Sequence, residues 1–183
     1  MDTESGFRGV TLITASYGLG EYIVKGRVTP DQFYVFKAGA QKGKKAIISK
    51  TLGKKQVKLV YGKTKGVRQE KVALAKTKQF SISDDDIMTL TRWADSIEKH
   101  YGVPQDIEWA KDGKTGALYI VQARPETVQT QQRGHKIERY VLKKEGEVIL
   151  KGIAVGSKIG AGPVVHLASP KEAKKFIAGG VLV

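Results

Sequence analysis

Through the first eighty residues apolar and polar positions alternate in short runs, the pattern of half-buried strands rather than of helices. Runs rich in β-branched and aromatic residues at Thr11–Ser16, Gln32–Phe36, Ala46–Ser49 and Gln56–Tyr61, bounded by Gly and Lys, predict strands. In the last of them Val57, Leu59 and Tyr61 alternate with Gln56, Lys58 and Val60, as an antiparallel strand with one buried face requires. Gly39, Gly43, Gly53 and Gly62 stand in the connections as turn residues. The period then changes. Ile87, Leu90, Ala94, Ile97 and Tyr101 form one apolar stripe at helical spacing. Ser83 is a good N-cap, Asp84, Asp85 and Asp86 put negative charge in the first turn, and Gly102 and Pro104 stop the helix. Capping accounts for this acidic triplet better than metal binding does.

The second half is more broken. Asp106–Lys111 and Leu118–Arg124 read as a hairpin joined through Asp112-Gly113-Lys114-Thr115-Gly116. Val128 to Lys136 is polar without an apolar period and reads as a linker. Beyond it Gly152, Gly156, Gly160 and Gly162 punctuate a new pattern, with a strand expected at Val164–Leu167. Ser169-Pro170 has the form of an N-cap and N1 pair opening a short helix. Val181-Leu182-Val183 resembles the first half of a buried strand, and the stretch from Gly146 onward lies near the lower limit of about 40 residues for independent folding. The chain is therefore expected to be a piece of something longer.

Composition narrows the classes. A chain of 183 residues with 40% hydrophobic content can bury a real core, and the absence of Cys excludes disulfide scaffolds, Cys-ligated zinc, iron–sulfur clusters and thiol chemistry. No apolar run is long enough to span a membrane, and the polar, acidic start is no signal peptide, so a cytoplasmic protein is expected. The net charge is +14, and twelve Lys and one Arg between Gln41 and Gln79 face only Glu70. Such a cluster can bind nucleic acid by neutralising phosphates. Here it is mostly Lys with few aromatics for base stacking, so a Lys-decorated sheet edge that discourages aggregation is the simpler reading.

The sharpest chemistry lies in Asp106-Ile107-Glu108-Trp109 and Gln122-Ala123-Arg124-Pro125-Glu126. Alternation along a strand puts Asp106 and Glu108 on one face, and Gln122 and Arg124 on one face of the partner. A register pairing Glu108 with Gln122 and Asp106 with Arg124 gathers all four on one surface. A carboxylate and an amide oxygen are hard ligands of the kind Mg²⁺ takes beside waters and substrate phosphates, and an Arg can grip phosphate oxygens. The competing reading is structural: a cross-strand Asp106–Arg124 ion pair, with Glu126 paired to a nearby Lys. Tyr17-Gly18-Leu19-Gly20-Glu21 is a weaker signal, since a Gly-x-Gly turn without a third glycine or a P-loop Lys more often makes only a tight turn. His100, His135 and His166 have no partners at ligand spacing and receive no catalytic role.

Several of these segments together resemble the phosphoenolpyruvate synthases, the pyruvate, water dikinases. The resemblance is carried in order along the chain by Asp2-Thr-Glu-Ser-Gly-Phe7, Thr14-Ala-Ser-Tyr-Gly-Leu-Gly-Glu21, Val28-Thr-Pro-Asp31, Ile97-Glu-Lys-His-Tyr-Gly102, Asp106-Ile-Glu-Trp-Ala-Lys-Asp-Gly113, Tyr119-Ile-Val-Gln-Ala-Arg-Pro-Glu-Thr127 and Ala154–Pro163. The resemblance implies an ATP-grasp nucleotide-binding domain, a swivelling phosphohistidine domain and a pyruvate-binding barrel in the complete enzyme. It implies that Glu108 and Gln122 hold Mg²⁺ on the ATP phosphates, that Arg124 binds those phosphates and that Asp106 supports the site. The family's phosphorylated His lies in a Gly-Gly-x-Thr-x-His segment, which is expected beyond Val183, so no catalytic residue is assigned here and the piece alone is expected to be inactive.

The expected fold class is α+β. Residues 1–127 would be the C-terminal part of the ATP-grasp domain, an antiparallel sheet with few helices; 128–145 a linker; and 146–183 the start of a β/β/α phosphohistidine domain. The expected partners are ATP and pyruvate, with no nucleic acid and no membrane, in a homodimer. Two alternatives stay open: the same module in another dikinase, such as a pyruvate, phosphate dikinase or an antibiotic phosphotransferase, and a basic β-rich nucleic-acid-binding module.

Overall fold

A computed structural model describes residues 1, 7–62, 64–126, 146–148 and 159–183, and divides the chain into two compact units, Met1–Arg139 and Tyr140–Val183. The linker expected at 128–145 lies outside the described residues. Strands and helices are both present, and among the described residues every strand pairing of the first unit is antiparallel, so the α+β class stands.

The first unit is built on an antiparallel sheet of β1 (Val10–Ala15), β2 (Asp31–Phe36) and β3 (Ile47–Thr51), in that spatial order. Ile13 pairs with Phe33 and Thr11 with Val35, so the period-two pattern puts Thr11, Ile13, Ala15, Phe33 and Val35 on one buried face. Helix α4 (Asp84–Tyr101) lays Ile87 and Leu90 against that face, and Phe80, Met88, Trp93, Trp109 and Leu118 pack around this core. Its N-terminus is as expected: the Ser83 hydroxyl accepts from the Asp86 N–H, and the Asp86 carboxylate accepts from the Ser83 N–H. The Gly102 N–H donates to the Glu98 carbonyl at the other end. Tyr101 departs from the expected stripe. It stands exposed at the last turn, edge-on to His100, while Thr91 and Trp93 supply packing that a one-stripe reading omits.

Three short helices, α1 (Glu21–Val24), α2 (Lys37–Gln41) and α3 (Leu74–Thr77), and the strand β5 (Val67–Lys71) had no clear sequence signal. At four or five residues the helices are too short to carry a period, and β5 reads Val-Arg-Gln-Glu-Lys, almost wholly polar. It forms because β4 (Val57–Tyr61) offers it a ladder from Val57–Lys71 to Tyr61–Val67. Thus the middle of the Lys-rich stretch is a hairpin. Lys58 and Arg68 both pair with Glu70, at 3.2 and 2.6 Å. Of the expected inward set on β4 only Leu59 is fully buried; Tyr61 is exposed.

Helix α4 is fastened to α2 and to the sheet by ion pairs and polar bonds. Lys37 pairs with Glu98, the Gln41 side-chain amide donates to Asp95 at 2.9 Å, and Lys50 reaches Asp84 at 3.0 Å. The remaining hairpin, β6 (Gln105–Lys111) and β7 (Leu118–Pro125), is tied to the helix by Lys111, whose ammonium lies 2.6 Å from the Asp86 carboxylate.

In the second unit β8 (Val164–Val165) and β9 (Val181–Leu182) pair in parallel, bridged by a 3₁₀ helix, Pro170–Lys175. The expected strand over Val164–Leu167 is shorter, and the expected helix is 3₁₀ without a side-chain cap from Ser169. The closing strand is present but not buried, since Leu182 and Val183 are exposed.

Candidate functional site

Hairpin β6–β7 has the register that gathers the four polar side chains: Asp106 lies opposite Arg124 and Glu108 opposite Gln122. The turn is held by Asp112, whose carboxylate accepts from the N–H groups of Lys114 and Thr115 and from the Thr115 hydroxyl, at 2.7–3.0 Å. These bonds pull the Asp112 carboxyl below its ordinary value. Ile107 and Trp109, on the other face of β6, line a cleft with Ile13 and Leu90 that Asp106 and Glu126 also border, while Glu108, Gln122 and Arg124 stand exposed.

One irregularity interrupts the ladder. Glu108 pairs with Gln122, but the next residue, Trp109, pairs with Ile120, which leaves Val121 as an extra residue in β7. It is a β-bulge directly opposite Glu108. The sequence carries a trace of it. Leu118 and Ile120 turn toward the body, and so does Ala123, opposite Ile107; no strict alternation puts positions 118, 120 and 123 on one face. The extra residue reconciles the two sets, and the equal-parity reading of the hairpin had no place for it.

On the outward face the Arg124 guanidinium donates from Nε and Nη2 to one oxygen of Asp106, at 3.0 and 2.8 Å, with both side chains substantially exposed. The Asp106 hydrogen bonds and charge raise the Arg124 pKa above its ordinary value, with smaller contributions from Glu108 and Glu126. The fork is thereby aimed by Asp106 while remaining open to solvent. Among the described residues no three His, Cys, Asp or Glu side chains converge as a metal cage. The residues that could hold a cation are instead Glu108 and Gln122, a carboxylate and an amide at opposed positions of the ladder. That set fits a cation keeping most of its coordination for water and phosphate oxygens, as Mg²⁺ does.

The Gly-x-Gly turn is absorbed by packing. Gly18 has φ +83°, and a Cβ there would fall 2.4 Å from the Leu59 carbonyl. The Leu19 N–H donates to that carbonyl at 2.8 Å, so the turn seals β1 onto β4. His100 closes α4, His166 lies exposed just past β8, and His135 falls outside the described residues.

The buried polar hub of the unit went unread in the sequence. Asp31 and Lys55 are both fully buried and paired. The Asp31 carboxylate also accepts from the Gly53 N–H at 2.8 Å, the Ser81 N–H at 2.8 Å and the Ser81 hydroxyl at 2.7 Å; Lys55 donates to the Gly53 carbonyl at 3.0 Å. Lys55 holds φ +40°, the left-handed region that costs a residue with a Cβ about 1 kcal/mol or more. A signal existed for half of it. With Phe33 and Val35 inward, period two sends Asp31 inward as well. Nothing local marks Lys55 among its neighbouring lysines.

Residues 1–145 match the family described as the pyruvate phosphate dikinase AMP/ATP-binding domain. The chain belongs to that family. Along its whole length it is also similar to phosphoenolpyruvate synthases: 48% identical to that of Deinococcus radiodurans, 49% to that of Pseudomonas aeruginosa and 46% to that of Escherichia coli K12. It spans 23–24% of the length of these curated relatives. The hairpin therefore sits in a nucleotide-binding module, as the resemblance implied. Among the described residues no helix is long and apolar enough to cross a membrane.

Proposed function

We propose that the chain is part of the MgATP site of a phosphoenolpyruvate synthase. The complete enzyme would convert ATP, pyruvate and water to AMP, phosphoenolpyruvate and phosphate through a phosphohistidine outside this chain. In this reading residues 1–127 are the C-terminal part of an ATP-grasp domain, joined by 128–145 to the start of a phosphohistidine domain at 146–183, in a cytoplasmic homodimer.

The observation that carries it is the outward face of β6–β7, where Glu108, Gln122 and an Asp106-aimed Arg124 share one surface within a nucleotide-binding family. Glu108 and Gln122 would hold Mg²⁺, which supplies neutralisation of the ATP phosphates. Arg124 is permanently charged and presents a planar fork, the geometry that grips phosphate oxygens in pairs. Its bond to Asp106 sets the angle of that fork before nucleotide arrives, so less ordering is left for the binding step.

The test is ATP binding with and without Mg²⁺ in the protein as its gene encodes it. Glu108→Gln is expected to remove most of the Mg²⁺ dependence. Arg124→Ala is expected to weaken MgATP by about tenfold or more, the loss of one charge-assisted contact. Undiminished MgATP binding in both variants would overturn the site. RNA or DNA binding that survives Glu108→Gln and falls steeply with salt would favour the nucleic-acid alternative.

A further inference from the structure

We infer that the bulge at Val121 is the device that positions the Glu108–Gln122 pair, so that metal selectivity and affinity at this face depend on a residue whose own side chain binds nothing; this rests on the metal-site reading above. Val121 has no register partner, and its side chain is exposed, so packing does not explain its presence. The bulge falls at the one rung where both cross-strand partners are proposed metal ligands. A bulge sets two residues against one, bends its strand and raises the local twist. In a flat ladder opposed side chains stand nearly parallel, about 4.5–5.5 Å apart at Cβ. Extra twist rotates Gln122 relative to Glu108, and a rotation lets two oxygens on neighbouring strands converge on one point instead of running side by side.

Removing Val121 makes an informative variant because it leaves every other residue on its own face. Without it β7 would alternate strictly: Leu118 in, Tyr119 out, Ile120 in, Gln122 out, Ala123 in, Arg124 out. The core contacts of Leu118 and the Asp106–Arg124 pair are both compatible with that regular ladder.

The experiment measures ATP affinity by calorimetry, with and without Mg²⁺, in the full protein, alongside the thermal midpoint. Deletion of Val121 is expected to leave the midpoint in place, leave metal-free ATP affinity in place and weaken MgATP about tenfold or more, the scale of a lost metal ligand's orientation. Val121→Thr, which keeps the extra residue, is expected to restore wild-type MgATP affinity. Wild-type MgATP affinity in the deletion variant would overturn the inference. If the deletion prevents folding, a second variant decides: deletion of Val121 with one Ala inserted between Leu118 and Tyr119 keeps chain length and faces but moves the bulge away from Glu108. Retained Mg²⁺ dependence there would overturn the inference equally. Glu108→Gln separates the layers. Should it leave Mg²⁺ dependence intact, the metal site itself fails and the bulge with it; should it abolish the dependence while deletion of Val121 does not, only the role of the bulge falls.

Discussion

Two of the carboxylate–cation pairs in this unit sit in opposite surroundings. Asp31–Lys55 is wholly buried, saturated with further hydrogen bonds and enclosed by three segments: the start of β2, the β3–β4 connection and the approach to α4. Asp106–Arg124 lies on an open sheet face, with the side chains 45% and 64% exposed. A buried charge that loses its partner is left desolvated, whereas an exposed one is simply rehydrated. So the first pair is committed to architecture, and the second stands where a ligand can reach it. In the proposed reading the same chemistry serves fold in one place and binding in the other, and the difference between them is access to solvent.

Breaking the buried pair should have the largest effect. Asp31→Ala is expected to cost about 3–5 kcal/mol in chemical denaturation, since it strands the Lys55 ammonium as well as the donors of Gly53 and Ser81. The double variant Asp31→Leu, Lys55→Met should recover part of that loss, because no charge then remains buried. Full recovery would mean that the Gly53 and Ser81 bonds contribute nothing. Next comes Gly18→Ala, expected to cost about 2 kcal/mol or more through a disfavoured φ and the clash with the Leu59 carbonyl.

An intermediate case sharpens the contrast. Asp86 and Lys111 are partly buried, with side chains 12% and 34% exposed. Burial pushes the Asp86 carboxyl up, but hydrogen bonds from Lys111 and from the Ser83 N–H and hydroxyl, with the Lys111 charge, outweigh it and leave the pKa lowered. A lowered carboxyl pKa contributes stability that is present above its ordinary value of 3.8 and is lost as pH falls through the lower folded value. Lys111→Met should therefore cost about 1 kcal/mol or less near neutrality, and nothing once acid has protonated Asp86 in both proteins. A cost that stayed constant down to pH 2 would assign the effect to packing of the Lys111 stem. The smallest stability effect belongs to the exposed pair: Arg124→Ala should leave the thermal midpoint unmoved while it weakens MgATP. A large drop in midpoint would place that pair with the architecture and erase the distinction.

Legibility followed the range over which each feature is decided. The capped helix, the pairings of Asp106 with Arg124 and of Glu108 with Gln122, and the sharing of one face by these four all depend on near neighbours: a cap, a turn, a period of two. They were readable for that reason. The polar strand β5 was not, because only the waiting edge of β4 makes it a strand. Lys55 was not, because its partner lies 24 residues away and meets it only after β2 and the β3–β4 connection have folded together. The bulge lay between these cases. The apolar parity of Leu118, Ile120 and Ala123 records that β7 holds one residue too many, but only pairing with Ile107, Glu108 and Trp109 shows which one.

By itself the sequence determined the class of the fold, the helix and its ends, and which four polar side chains share the outward face of the hairpin, since period, turn chemistry and capping act over a few residues. Only the tertiary structure decided that Asp31 and Lys55 would be buried together, that the Gly18 turn would be spent on contact with β4, and that Val121 would stand against Glu108. Burial and twist are properties of the assembled chain: whether a charge is desolvated or a strand bent depends on what comes to lie beside it.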